Sequence, residues 1–323
     1  MTRHRAQGVV LLSVLLVLAL LSALAWQLMG KHSLVIAQSR FTFSGDQALE
    51  YALGAETFAR QILYEEWSRN GPGKDTLQDV WAQPTAPFEV DNGFLEVQVV
   101  DMQSCFNLNS LAGSESNANL VRLKTLMRNR GVPDNLADAW LDWVDSDLDI
   151  DGFGAEDGEY LLEDVSYRTA NAPAAHVSEL RLIRGIEAEH LEVLEDLLCV
   201  LPTTELAINV NTAGPGVLAS LSPSLAEGQL EAFTEAVRDY DDVGLVTAEF
   251  PDLTPAVDAL TVSSQYFRVN VRAQVDDSQA ELSSLLRRDP SSGQIELISR
   301  DLGRNFQSLF TAETDTDTEA GDD

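Results

Sequence analysis

The chain has 323 residues, enough for a stalk and two or three lobes. It carries 52 Asp and Glu against 21 Lys and Arg, a formal net charge of −31. So acidic a chain excludes nucleic acid or anionic lipid held by a basic patch, and it favours a bound cation or a basic partner.

The N-terminus sets the plan. Arg3-His4-Arg5-Ala6-Gln7-Gly8 is a short basic leader, and an uncharged run from Val9 to Gly30 follows it. As a helix, Val9 to Met29 spans about 30 Å, the thickness of a bilayer core. Arg3 and Arg5 place the leader in the cytoplasm, and Trp26 sits near the far end, where an aromatic belt residue belongs. Helical spacing continues beyond the membrane length. Leu34, Ala37, Phe41, Ala48, Ala52, Ala55, Ala59 and Ile62 define one face, and nothing stops the pattern before Asn70-Gly71-Pro72-Gly73. Three fates of the apolar run compete: a secretory cut after Ala23-Leu24-Ala25, a permanent anchor, or a cytoplasmic-side cut after Gly8 that retains the helix. A helix that runs from membrane into solvent argues against the cut at Ala25.

An irregular stretch with Pro72, Pro84 and Pro87 precedes a hairpin signal. Phe88-Glu89-Val90 and Phe94 to Val99 flank Asp91-Asn92-Gly93, in which Asn-Gly supplies the positive φ angles of a tight turn. Helical patterns then take over. Leu120, Leu123 and Met127 form one stripe, and Leu136, Trp140, Trp143 and Val144 a second. A third helix is expected from Ser178 as N-cap, and a fourth through Leu191, Leu194, Leu197 and Leu198. Phe106-Asn107-Leu108-Asn109 and Ile208-Asn209-Val210-Asn211 share an Asn-x-Asn motif. After the second copy, helices are expected over 217–221, 230–240 and 255–260. Two copies of one helical unit and a chance match over six residues both fit that repeat. Alternation over 266–275, with further strands at 279–288 and 294–299, completes a sheet begun near residues 94–100. Residues from Thr311 to Asp323 are Thr, Asp, Glu, Ala and Gly, a composition expected to be disordered.

Two constellations carry chemistry. Cys105 and Cys199 are the only cysteines, an even count that points to one disulfide in an exported lobe, against two buried thiols. Asp145, Asp147, Asp149 and Asp151, followed by Glu156 and Asp157, form an acidic loop. Read from Asp147, it matches the start of an EF-hand, but Gly158 stands where the closing Glu belongs. A calcium site of another geometry, closed by Glu156 or Asp157, competes with a solvated acidic loop, and hard oxygen ligands favour calcium over transition metals. His4, His32, His176 and His190 have no metal-type spacing, which argues against zinc. No catalytic motif is present, so an enzyme is not expected.

Gln7-Gly8 directly before an apolar helix resembles the prepilin peptidase site of type IV pilins and type II secretion pseudopilins. Those proteins carry Glu at the fifth mature position. Counted from Val9, this chain has Ser13 there, the pattern of the K-type minor pseudopilin. With the interrupted sheet, the repeated helical unit and the acidic loop, the resemblance extends from Gly8 to about Gly303. It implies an α+β fold in which a long N-terminal helix packs on an antiparallel sheet, with a large duplicated all-α insertion of SAM-like or helix-hairpin-helix-like units. The expected divisions are a leader at 1–8, a transmembrane helix at 9–30 and a pilin-like domain at 31–105 and 265–303. An insertion at 106–264 divides into modules at 106–205 and 206–264, and an acidic tail occupies 304–323. The resemblance further implies cleavage between Gly8 and Val9 by the prepilin peptidase, N-methylation of Val9, and calcium in the helical domain. It also implies an inner-membrane anchor with a periplasmic C-terminal domain, and a filament-tip role beside minor pseudopilins of the I and J types, with the H type as a further candidate. Nucleic acid is not an expected partner. The rival from another class is a calcium-dependent adhesion or receptor ectodomain on a permanent anchor.

Overall fold

The structure is a computed structural model that describes residues 5–71, 73–83, 86–222, 224–225 and 227–302. The expected disordered tail at 304–323 and the first four leader residues lie outside them. Helix α1 runs without a break from Arg5–Asn70, through Gly30, Gly45 and Gly54. Its apolar half is exposed along its length, as a segment suited to lipid or to neighbouring helices would be.

The C-terminal half of α1 is buried on a narrow face. Ser44, Ala48, Ala52, Ala55, Ala59 and Leu63 recur at helical spacing and are all buried. Small side chains there let the helix approach the sheet closely. The expected face began earlier, but Leu34 and Phe41 are 59 and 67% exposed. The sheet reaches α1 only at the level of Phe41, whose carbonyl accepts a hydrogen bond from Ser278. N-terminal to that point no strand among the described residues covers the helix.

The sheet has five antiparallel strands, paired in the order β1 (Phe88–Val90), β2 (Gly93–Asp101), β7 (Tyr266–Val275), β8 (Ser278–Arg288) and β9 (Ile295–Leu302). β1 and β2 form the expected hairpin. Its turn differs in detail: Val90 pairs with Gly93, and Asn92, not Gly93, has the positive φ of 62°. Gly93 serves a neighbour instead, since a Cβ there would lie 1.7 Å from the carbonyl oxygen of Gln274. The chain then leaves the sheet for the helical lobe.

That lobe comprises β3 (Phe106–Asn107), α2 (Ser116–Asn129), α3 (Leu136–Val144), α4 (Asp157–Tyr160), α5 (Ala188–Leu194) and β4 (Leu198–Cys199). A second series follows: β5 (Ile208–Asn209), α6 (Pro215–Ala219), α7 (Glu227–Glu235), α8 (Val243–Glu249) and β6 (Leu260–Thr261). The chain returns to the sheet as β7 (Tyr266–Val275), β8 (Ser278–Arg288) and β9 (Ile295–Leu302). β2 pairs with β7 from Gly93↔Val275 to Asp101↔Phe267, so the lobe is an insertion between neighbouring strands. Phe267, Val269, Val271, Ala273 and Val275 alternate onto the α1 face, as the period of two requires.

Several helical expectations are corrected. The segment at 177–182 is a 3₁₀ turn capped by His176, whose Nδ1 accepts the Ser178 N–H, rather than a helix capped by Ser178. The helix read through Leu198 ends at Leu194, because Leu198 and Cys199 form a parallel pair with Phe106 and Asn107. Helix α7 ends at Glu235 rather than running to 240, 251–259 is a 3₁₀ segment, and α8 was not anticipated.

The duplication is built into hydrogen bonds. β3 pairs in parallel with β4, and β5 with β6. Asn109 N–H donates to Asn107 Oδ1, and Asn211 N–H donates to Asn209 Oδ1. The second Asn of each copy then grips one distant residue at both backbone groups. Asn109 takes the N–H and carbonyl of Ala174, and Asn211 those of Tyr240. A buried amide satisfied on both sides fixes a loop that lacks a ladder of its own.

Cys105 and Cys199 form a disulfide across a sequence separation of 94 residues, joining the entry and exit of the first unit. A bridge that closes a loop of this length restrains the unfolded chain by about 4–5 kcal/mol in the chain-entropy description. Cys105→Ser/Cys199→Ser is therefore expected to lower stability by about 3–5 kcal/mol in chemical denaturation, with the unreduced parent as reference. Equal midpoints for the two proteins would contradict this.

Candidate metal centre

Helix α3 is apolar on nearly every side, yet it carries Asp138 and Asp142, both buried and one turn apart. Asp138 is neutralised: Lys124 Nζ lies 2.5 Å from it, and the Phe153 N–H donates to its Oδ2. Among the described residues Asp142 has no such cation. Its Oδ1 accepts the Asp151 N–H at 3.1 Å, and its Oδ2 is buried without a partner. Gly154 makes room for that oxygen, since a Cβ on residue 154 would come within 2.0 Å of it.

Asp145 is the C-cap of α3, with its N–H bonded to the Leu141 carbonyl. The helix C-terminus already carries partial negative charge, so a carboxylate there is unfavourable without a cation. Asp145 Oδ1 is buried and unpartnered as well. Carboxylate oxygens of Asp142, Asp145 and Asp151 all lie within 4.8 Å of one another. Glu156, the residue before α4, accepts the Thr169 hydroxyl at Oε2 and leaves Oε1 buried and unpartnered.

The electrostatics match the geometry. Burial pushes Asp142 up to about 7, and the charges of Glu156, Asp145 and Asp151 add to the rise. Burial, with Asp147 next, pushes Asp145 up to about 6. Burial also raises Glu156, with Asp157 and Asp147 adding to it. What opposes the rise at Asp142 and Asp145 is a backbone N–H in each case, not a cation. Such groups protonate, or they converge on a positive ion.

The six acids singled out from sequence therefore divide. Asp145 and Asp151 converge, and Glu156 adds an orphan oxygen and a charge felt by both Asp142 and Asp145. Asp147 shapes the loop, accepting the Asp149 N–H at 2.9 Å, while its charge acts on Asp145 and Glu156. Asp149 is exposed and contributes a backbone N–H. Asp157 is turned to Arg168 and to Thr169. The site is not an EF-hand read from Asp147, for it begins one turn inside α3. Asp142 escaped the sequence reading. The signal available was an Asp pair at i, i+4 in an otherwise apolar helix that runs directly into an acidic loop.

A membrane-length helix thus continues as the spine of an antiparallel sheet that a carboxylate-bearing helical lobe interrupts. Residues 104–203 match the family model for protein K of the type II secretion system. The chain is 32% identical to type II secretion system protein K of Pectobacterium carotovorum, an alignment covering 93% of this chain and 98% of the relative. It is 33% identical to the protein of the same name from Pseudomonas aeruginosa, covering 94% of each. Its fold is similar to a chain in the crystal structure of the GspK-GspI-GspJ complex from the enterotoxigenic Escherichia coli type 2 secretion system, with a TM-score of 0.74 and 27% identity. That match covers 83% of this chain and all of the other. The chain belongs to the type II secretion system protein K family, the K-type minor pseudopilins.

A raised carboxylate pKa has a defined sign. Between about 4 and 7 the folded cluster holds protons that the unfolded chain releases, so without an ion stability falls as pH rises through that window. A divalent cation bound by these carboxylates would displace those protons and reverse the loss. Calcium is expected to raise the melting temperature of the full chain more at pH 8 than at pH 5, relative to chelator. A hundredfold excess over Kd adds about 2.7 kcal/mol. Asp142→Asn should abolish most of that shift. A calcium response independent of pH, or unchanged in Asp142→Asn, would contradict the assignment.

Proposed function

We propose that this chain initiates the type II secretion pseudopilus, caps its tip and limits its length, in contact with minor pseudopilins of the I and J types. The observation that carries this reading is the uncovered half of α1. From Val10 to Phe43 its large apolar side chains lie open, and the sheet shields only the half that follows. An apolar helix face continuous from membrane to lobe fits lateral packing against other stalk helices. The assembly of the similar Escherichia coli chain with GspI and GspJ supports the same partners here.

Ser13 supports the tip position. Its hydroxyl donates to the Val10 carbonyl at 2.8 Å, so it is satisfied within its own helix. A Glu in its place would need a positive partner from a neighbouring subunit, because an isolated carboxylate in hydrocarbon is costly. The helical lobe adds bulk above the stalk, which fits growth only from beneath. We read the role as structural rather than enzymatic. The segment 9–30 spans the inner membrane in this reading, the lobes lie in the periplasm, and the leader is removed between Gly8 and Val9, with Val9 then methylated.

The acidic centre fits calcium. Asp142, Asp145, Asp151 and Glu156 supply hard oxygens, three of them with buried atoms lacking any partner. Calcium bound there would neutralise the cluster and tie the end of α3 to the loop and to the start of α4.

Mass spectrometry of the mature chain is expected to show N-methylated Val9 at the N-terminus. An intact leader or a start at Trp26 would refute the pseudopilin processing and favour a permanent anchor or a secretory cut. The capping role is tested by filament length. Raising this chain relative to the major subunit should shorten pseudopili, and lengths that do not respond would exclude a cap.

A further inference from the structure

Around the carboxylate centre the helical lobe leaves several large apolar side chains exposed. Leu148, Ile150, Phe153, Leu162 and Val165 are 69, 52, 80, 86 and 79% exposed. The backbone that carries them is held from within. Asp149 N–H bonds to Asp147 Oδ1, Phe153 N–H to Asp138 Oδ2, and Asn171 Nδ2 to the Asp147 carbonyl. Leu162 N–H bonds to the Glu159 carbonyl, and Tyr167 N–H to that of Tyr160, closing the turn that bears Leu162 and Val165. The acids that turn inward leave Leu148 and Ile150 outside.

Elsewhere on the lobe, exposed large apolar residues such as Val121, Val193, Val237 and Val257 are widely spaced along the chain. Single exposures of that kind are ordinary, whereas a concentration on one short, ordered segment marks a contact surface. The segment belongs to the inserted lobe, while α1 packs against the sheet, so the surface is separate from the stalk face described above.

Charge selects the occupant. Asp147, Asp149 and Asp164 are exposed among these side chains, while Glu163 is paired with Arg184. The basic residue of this stretch, Arg168, is bound to Asp157. An anionic leaflet would be repelled by such a rim, and a second acidic copy likewise. We infer that this face docks a segment of another protein whose apolar side chains are flanked by Lys or Arg. Apolar burial supplies the affinity and the acidic rim selects and orients the basic flanks. The inference rests on the pseudopilin reading only for the cell in which it is tested.

The experiment is photo-cross-linking of the full chain in secreting cells, with benzoylphenylalanine at Phe153, Leu162 or Val165 in turn, and at Val193 and Val237 as controls. The expected result is an adduct from the first three positions to one polypeptide. The adducted peptide should contain apolar residues beside Lys or Arg. Phe153→Ser/Leu162→Ser should reduce the adduct from Val165 at least tenfold, while the calcium shift in melting is retained. Lipid adducts, equal labelling from Val193 and Val237, an adducted peptide without basic residues, or an adduct unaffected by the double substitution would each overturn the inference. A normal Val9 terminus and calcium shift without the adduct would defeat this inference alone, whereas an unprocessed leader would defeat the pseudopilin reading whatever the cross-links show.

Discussion

The close seat of α1 on β7 and β8 is the contact on which the other parts depend. Ala48, Ala52, Ala55 and Ala59 bring the helix near enough for Phe267, Val269, Val271 and Ala273 to pack against it. That proximity also forces a charge indoors. Glu56 lies on the buried face and is fully shielded. Burial alone would raise it, but hydrogen bonds from Arg300 and Ser284 outweigh that and hold its carboxyl below the ordinary range. Arg300 comes from β9, so the ion pair ties that edge strand to the stalk. The same seat ends near Phe41, and the apolar helix beyond it remains available to neighbours.

The lobe is attached through a second buried carboxylate. Asp101, at the end of β2, accepts hydrogen bonds from Asn209, Thr212 and Ser264. These residues belong to the entry and exit of the second helical unit. Burial raises Asp101, and burial likewise raises Asp75 beside it, against the opposing charge of Arg288. A sheet interrupted by a large insertion needs a rigid seam at the break. This polar cluster supplies it with directional bonds that a purely apolar contact would not provide.

Much of the frame was legible because it rests on local periodicity. Alternation marks β2 and β7, and the two Asn-x-Asn motifs stand where β3 and β5 open the helical units. What was not legible depended on distant geometry. Leu197 and Leu198 continue a helical spacing, yet pairing with Phe106 draws Leu198 into a strand, a tertiary preference that outweighs a weak local one. The covered face of α1 was read as starting too early, because spacing marks a face but not how far a sheet reaches along it. Asp142 was missed because charge density pointed to the loop, whereas the decisive property is an unsatisfied buried oxygen.

The buried acids of this protein reveal what the centre lacks. Glu56 is met by Arg300, Asp75 by Arg288, Asp138 by Lys124, and Asp101 by hydroxyl and amide donors. The fold thus neutralises or hydrogen-bonds these four carboxylates, as burial of charge demands. Asp142, Asp145 and Glu156 differ: Asp142 and Glu156 accept one hydrogen bond each, yet all three keep a buried oxygen without a partner, in one place. They do so where the C-terminus of α3 already disfavours negative charge. Glycine at residue 154 keeps the space beside Asp142 clear. An arrangement so costly for an ion-free protein is consistent with a fold completed by a cation. The ion would fix the loop that turns Leu148, Ile150 and Phe153 outward, so the charge held inside the lobe would determine the apolar surface presented outside it.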